Sequence, residues 1–85
     1  MPNPWIEVVS LYAGSDFLAA ADMLADIGAK PEEAEARVHA AQQLAAAGRD
    51  DDAAEQLQQA VAFYRSVGAR RYLEQCESLP IAATQ

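Results

Sequence analysis

Apolar side chains return every third or fourth residue along this chain, the spacing of one helix face, and nowhere do they alternate with polar ones as in a half-buried strand. The clearest stripes are Ala34, Val38, Ala41, Leu44 and Ala45, then Ala53, Leu57, Ala60, Val61, Tyr64 and Val67, then Tyr72, Leu73, Cys76 and Leu79. Gly14, Gly28, Gly48 and Gly68 and the internal prolines Pro31 and Pro80 cut these stripes into helix-sized pieces, because glycine closes a helix and proline opens or blocks one. Five helices are predicted. They run from about Pro4 to Gly14, from Ser15 or Asp16 to Gly28, from Pro31 to Gly48, from Asp50 to Gly68, and from about Arg70 to Leu79, ahead of Pro80. Ser15 or Asp16 can cap the free amides of the second helix. Glu32, Glu33 and the Asp50-Asp51-Asp52 run place negative charge in first turns, where it complements the helix dipole.

Helices this short and this rich in alanine are not stable alone, so they must pack on one another. Connections of two or three residues make neighbours antiparallel. The expected fold is all-α: a single domain over 1–80, with one hairpin at about 4–29, a second at about 31–68, a capping helix at about 70–79 and a frayed tail at 81–85. Alanine buries little area, so the core should fall to the large side chains Trp5, Tyr12, Phe17, Leu24, Leu57, Phe63, Tyr64 and Tyr72.

The chain also resembles itself. A shift of 33 residues lays Leu11 on Leu44, Ala13 on Ala46, Ala20 on Ala53, Ala21 on Ala54 and Leu24 on Leu57, with Gly14 and Gly48 one residue out of step. Asp26-Ile27-Gly28-Ala29-Lys30 and Ser66-Val67-Gly68-Ala69-Arg70 close the two hairpins with nearly the same turn. Two helices in a period of about 34 residues is the signature of tetratricopeptide repeats. The first unit carries more of the pattern, with Trp5, Gly14, Phe17, Ala20, Leu24 and then Pro31; the second is divergent, with Val38 and Asp50 where aromatic residues are expected and a longer second helix.

Composition narrows the function. With 13 acidic and 6 basic side chains the chain carries a net charge of −7, which repels a nucleic-acid backbone. Direct nucleic-acid binding is not expected. The lone Cys76 cannot form an internal disulfide, which suits the cytoplasm, and no run approaches the roughly 20 apolar residues of a membrane span. The start Met1-Pro2-Asn3-Pro4-Trp5 has no basic region followed by an apolar stretch.

Candidate chemistry is sparse. His39, the one histidine, has Glu35 a turn away, a pairing that suits a general base or a ligand. No serine, cysteine or second histidine lies at a matching spacing, and His39 reads as a partly exposed groove residue. Cys76 reads as a small core residue. Asp22 and Asp26 share a helix face but lack a third ligand, and the Asp50 run lacks the glycine and glutamate of a calcium loop. No cofactor or metal is expected, and no nucleophile, base and orienting group converge. Arg65, Arg70 and Arg71 cluster near the final turn of an otherwise acidic chain, where they could grip a partner's carboxylates or simply face water and the helix end. Trp5 either packs inward or marks an interface at the first helix.

The stretch Ala45-Ala46-Ala47-Gly48-Arg49, followed by Ala60-Val61-Ala62-Phe63-Tyr64-Arg65-Ser66-Val67-Gly68-Ala69-Arg70-Arg71-Tyr72, resembles the tetratricopeptide-like C-terminal tail of large bacterial regulators that couple an ATPase to a LuxR-type DNA-binding domain or a class III adenylate cyclase. The likeness extends back through Ala21-Asp22-Met23-Leu24-Ala25-Asp26-Ile27-Gly28-Ala29 and carries structural residues only; no phosphate-binding loop, cyclase core or separate helix-turn-helix accompanies it. It implies a non-catalytic protein or peptide-binding module of a signalling regulator. The first, third and fifth helices would face the partner, with His39, Gln42, Arg65, Arg70 and Arg71 as contacts. The alternative is a structural piece that forms a homodimer through the Trp5 end.

Overall fold

The computed structural model describes residues 4–79, which fold as five α-helices: α1 (Pro4–Ala13), α2 (Phe17–Asp26), α3 (Lys30–Ala46), α4 (Asp50–Ser66) and α5 (Arg70–Glu77). No strand occurs among the described residues, so the chain is all-α. Each connection is three residues long, and each helix packs on the one before it and the one after it. The result is a slab of about 43 × 30 × 16 Å. The tail expected at 81–85 and the stop at Pro80 lie outside the described residues.

The four turns share one geometry. Asp16, Ala29, Arg49 and Ala69 each donate a backbone hydrogen bond five residues back, to the carbonyls of Leu11, Leu24, Leu44 and Tyr64 in that order, at 2.8 to 2.9 Å. Such bonds satisfy carbonyls that a helix end leaves open, and they require the preceding residue to be left-handed. Gly28, Gly48 and Gly68 fill that place in the last three turns, with φ between 68° and 79°. In the first turn the left-handed residue is Ser15, at φ 60°, and not Gly14. The one-residue offset seen in the sequence is thus an exchange of residue type, because Ser15 occupies the position that Gly48 holds 33 residues later. Gln43 on α3 donates to the Ser15 carbonyl at 2.9 Å and anchors this turn.

Corresponding positions have matching burial. Ala20 and Ala53, Ala21 and Ala54, and Leu24 and Leu57 are all buried. α4, at 17 residues, is longer than its counterpart α2, at 10, as the sequence suggested.

Alanine carries more of the core than expected. Nine of the fifteen buried apolar residues are alanine, which lets helix axes approach closely. One cluster joins Val8, Ala21, Leu24 and Ala36; the larger joins Ala34, Ala41, Leu44, Ala53, Ala54, Leu57, Ala60, Tyr64 and Cys76. Of the large residues expected inside, Leu24, Leu57 and Tyr64 are buried, whereas Tyr12, Phe17 and Phe63 are half-buried and Trp5 and Tyr72 are exposed. Trp5 and Tyr72 lie on the first and last helices, which have a neighbour on one side only. Val67, placed on the α4 stripe by its spacing, falls beyond the helix end and is exposed.

A polar clamp holds the middle together. Arg37 is buried on α3, with its Nε 2.7 Å from a Glu33 carboxylate oxygen, one terminal nitrogen donating to Gln56 on α4 at 2.8 Å, and the other 3.6 Å from Asp22 on α2. Three helices therefore share one guanidinium. Arg49, ahead of α4, folds back to Asp52 at 2.6 Å, so the acidic run opens its helix and is paired locally.

Candidate functional site

A groove of about 460 Å³ lies between α3 and α5, over Tyr64 of α4. From α3 come Glu35, Val38, His39 and Gln42, a row at one-turn spacing that the helix presents on one side. Tyr64 of α4 forms the floor. Tyr72, Gln75 and Cys76 of α5 form the opposite wall, ending at Ser78 and Leu79. Tyr64 and Tyr72 stack with centroids 5.0 Å apart and planes 14° from parallel. At the other side of Tyr72 a second hollow of about 430 Å³ opens over Pro31, Glu32, Glu35, Phe63 and Val67.

His39 also meets aromatic rings from α1 and α2. His39 lies 5.1 Å from the Phe17 ring and 6.1 Å from Tyr12, which itself meets Phe17 edge-on at 5.2 Å. The His39 Nε2 is 3.7 Å from a Glu35 carboxylate oxygen, beyond hydrogen-bonding distance, so the contact is loose.

Burial sets the chemistry of the hydroxyls and the thiol. The Tyr64 hydroxyl is pushed up to about 12, first by burial and then by the nearby Cys76 and Glu35. Burial, aided by Glu35, raises Tyr12 as well. Burial and Glu77 push the Cys76 thiol up, so at neutral pH it remains a protonated, weak nucleophile. These groups can accept and donate hydrogen bonds and offer ring faces; they are not primed for covalent chemistry.

His39 and Gln42, expected on the partner-facing side, line the groove. Arg65, Arg70 and Arg71 are exposed, and none of them lines the groove or the hollow beside it. Trp5 is exposed on α1, which contributes nothing to the lining. The sequence reading did not name Glu35 as a wall residue; Tyr64 and Cys76, placed in the core, are buried there and line the groove as well, whereas Tyr72 is exposed. The polar row Glu35, His39 and Gln42 was the signal available. It also missed Arg37, which stands in the alanine stripe of α3 and lines a third hollow with Glu33, Gln59 and Phe63. Asp22, considered together with Asp26 as a cation ligand and set aside, pairs with Arg37. Among the described residues no group of three or more His, Cys, Asp or Glu side chains is arranged to hold a metal ion, and no helix is long and apolar enough to cross a membrane.

Comparison with models of known protein families, with curated proteins and with solved structures finds no match.

Proposed function

We propose that this chain is a non-catalytic, tetratricopeptide-like interaction module, and that the groove between α3 and α5 receives a segment of a partner protein. The observation that carries this reading is the groove itself, an open trough whose walls come from helices two apart in the chain and whose lining mixes stacked aromatic rings with exposed polar ends. Such a surface fits an extended or helical segment by apolar contact and hydrogen bonds together. The weak nucleophile at Cys76 and the loosely paired His39, packed against the Phe17 ring, suit binding better than turnover. We take the module to belong to a cytoplasmic signalling protein, a reading supported by its resemblance to the tails of ATPase-coupled bacterial regulators. Selection of peptides from a random library tests the proposal. Enriched peptides should shift the amide resonances of Glu35, Gln42, Tyr72 and Gln75, and Gln42→Trp should block them. Shifts confined to Arg65, Arg70 and Arg71, abolished by Arg70→Glu with Arg71→Glu, would move the site to the basic cluster. Peptides that bind the Gln42→Trp variant equally well, with no shifts on α3 or α5, would end the groove reading.

A second reading rests on α1. Trp5, Ile6 and Val9 are exposed on a helix with Glu7 as its one charged residue, in a chain of net charge −7. Two acidic copies meet there with least repulsion. A homodimer through this face predicts a melting midpoint that rises with concentration and loses that dependence in Val9→Glu.

A further inference from the structure

We infer that the groove is built for an arginine side chain of the partner segment, its guanidinium lying on the outer face of Tyr72 and pairing with the Glu35 carboxylate. This rests on the groove reading and names its ligand. Tyr72 and Glu35 are shared by the groove and the hollow beside it, so they stand at the midpoint of one continuous depression. One face of the Tyr72 ring is covered by Tyr64, yet half of the residue remains exposed, which leaves the other face open to a planar group. The Glu35 side chain is 65% exposed and its pairing with His39, at 3.7 Å, is too long to hold it.

Charge points the same way. Among the described residues, the carboxylates along the depression are Glu32 and Glu35, and no lysine or arginine lines either part of it. Glu35 also contributes to the raised Tyr12 and Tyr64 hydroxyls, within whose electrostatic reach it lies. A cation fits such a place, and a guanidinium fits it better than an ammonium. It is planar, stacks on an aromatic face and pairs with a carboxylate through two parallel N–H groups. An anionic partner would meet Glu35 and the overall charge of −7 unfavourably.

Blocked five-residue peptides of leucine and alanine with arginine, lysine, citrulline or glutamate at the centre test this by amide-resonance titration of the full chain. The arginine peptide should bind tightest and shift Glu35, Tyr72 and Gln75. Citrulline, isosteric but uncharged, should bind roughly five- to tenfold more weakly, and Glu35→Gln should remove that difference. Tyr72→Leu should weaken the arginine peptide more than the citrulline one. Glu55→Gln, the same change of charge on an exposed α4 position away from the depression, should leave affinity unchanged. Equal binding of arginine and citrulline peptides, or an equal loss in Glu55→Gln and Glu35→Gln, would overturn the arginine assignment while leaving the groove a peptide site. Binding of none of the peptides at any groove residue would overturn both readings together. Far-ultraviolet circular dichroism of Glu35→Gln and Tyr72→Leu, both at exposed positions, checks that the fold is kept.

Discussion

Ser15 holds a left-handed backbone at φ 60°, where a side chain crowds the carbonyl that follows, while three glycines fill the same place in the later turns. Ser15→Gly should therefore stabilise the protein by up to about 1 kcal/mol in urea unfolding, less whatever the added freedom of the unfolded chain takes back. The reverse change is informative too. Gly48→Ala meets no atom within 4 Å, so its cost is conformational, again about 1 kcal/mol, and not steric. Arg37 behaves differently, since its partners Glu33 and Gln56 are themselves shielded. Arg37→Met should cost about 3 kcal/mol by leaving Glu33 uncompensated, and replacing Arg37, Glu33 and Gln56 together by Met, Leu and Leu should recover most of it. Urea melts of the single and triple variants would decide; a single variant as stable as the parent would mean that water reaches the clamp.

At the scale of helices, the packing of α4 and α5 ties stability to alkaline pH. The Tyr64 hydroxyl ionises at about 12 in the folded protein against an ordinary value of about 10, so burial favours the neutral form. Its contribution is complete below pH 10 and is lost as the pH rises through 10 toward 12, and the thiol of Cys76, also raised, adds in the same direction. Thermal melts from pH 8 to 11.5 should fall, and Tyr64→Phe should flatten the fall. The helices themselves were legible because punctuation and periodicity agree. Gly28, Gly48 and Gly68 closed their helices as expected, and Asp16 caps α2 by accepting from the Ala19 amide at 3.3 Å. Two things were hidden. Burial at Trp5 and Tyr72 depends on how many neighbours a helix has, which no local spacing encodes. Arg37 is buried because α3 lies between α2 and α4, and a single charged residue in an alanine stripe looks the same whether it reaches water or a clamp. For the groove, the α3 row could be read from spacing, but its opposite wall on α5 is brought near only by the packing of α4 between them.

Across the whole molecule, the groove reading and the α1 reading differ in the mass they expect. Light scattering at low and high concentration should give a monomer of 9.1 kDa if the groove is the working surface. A particle of twice that mass, reverting to the monomer in Val9→Glu, would bring α1 forward. The unequal lengths of α2 and α4 carry one more consequence. The difference between 17 and 10 residues is seven, and seven residues turn an α-helix to within about 20° of two full revolutions. An insertion of that size pushes the next turn outward by about 10 Å yet leaves every side chain aimed almost as before. Helix length in this scaffold is thus quantised: blocks of seven can deepen or shorten the trough without re-aiming its walls, whereas blocks of five would swing the lining residues round to the opposite face.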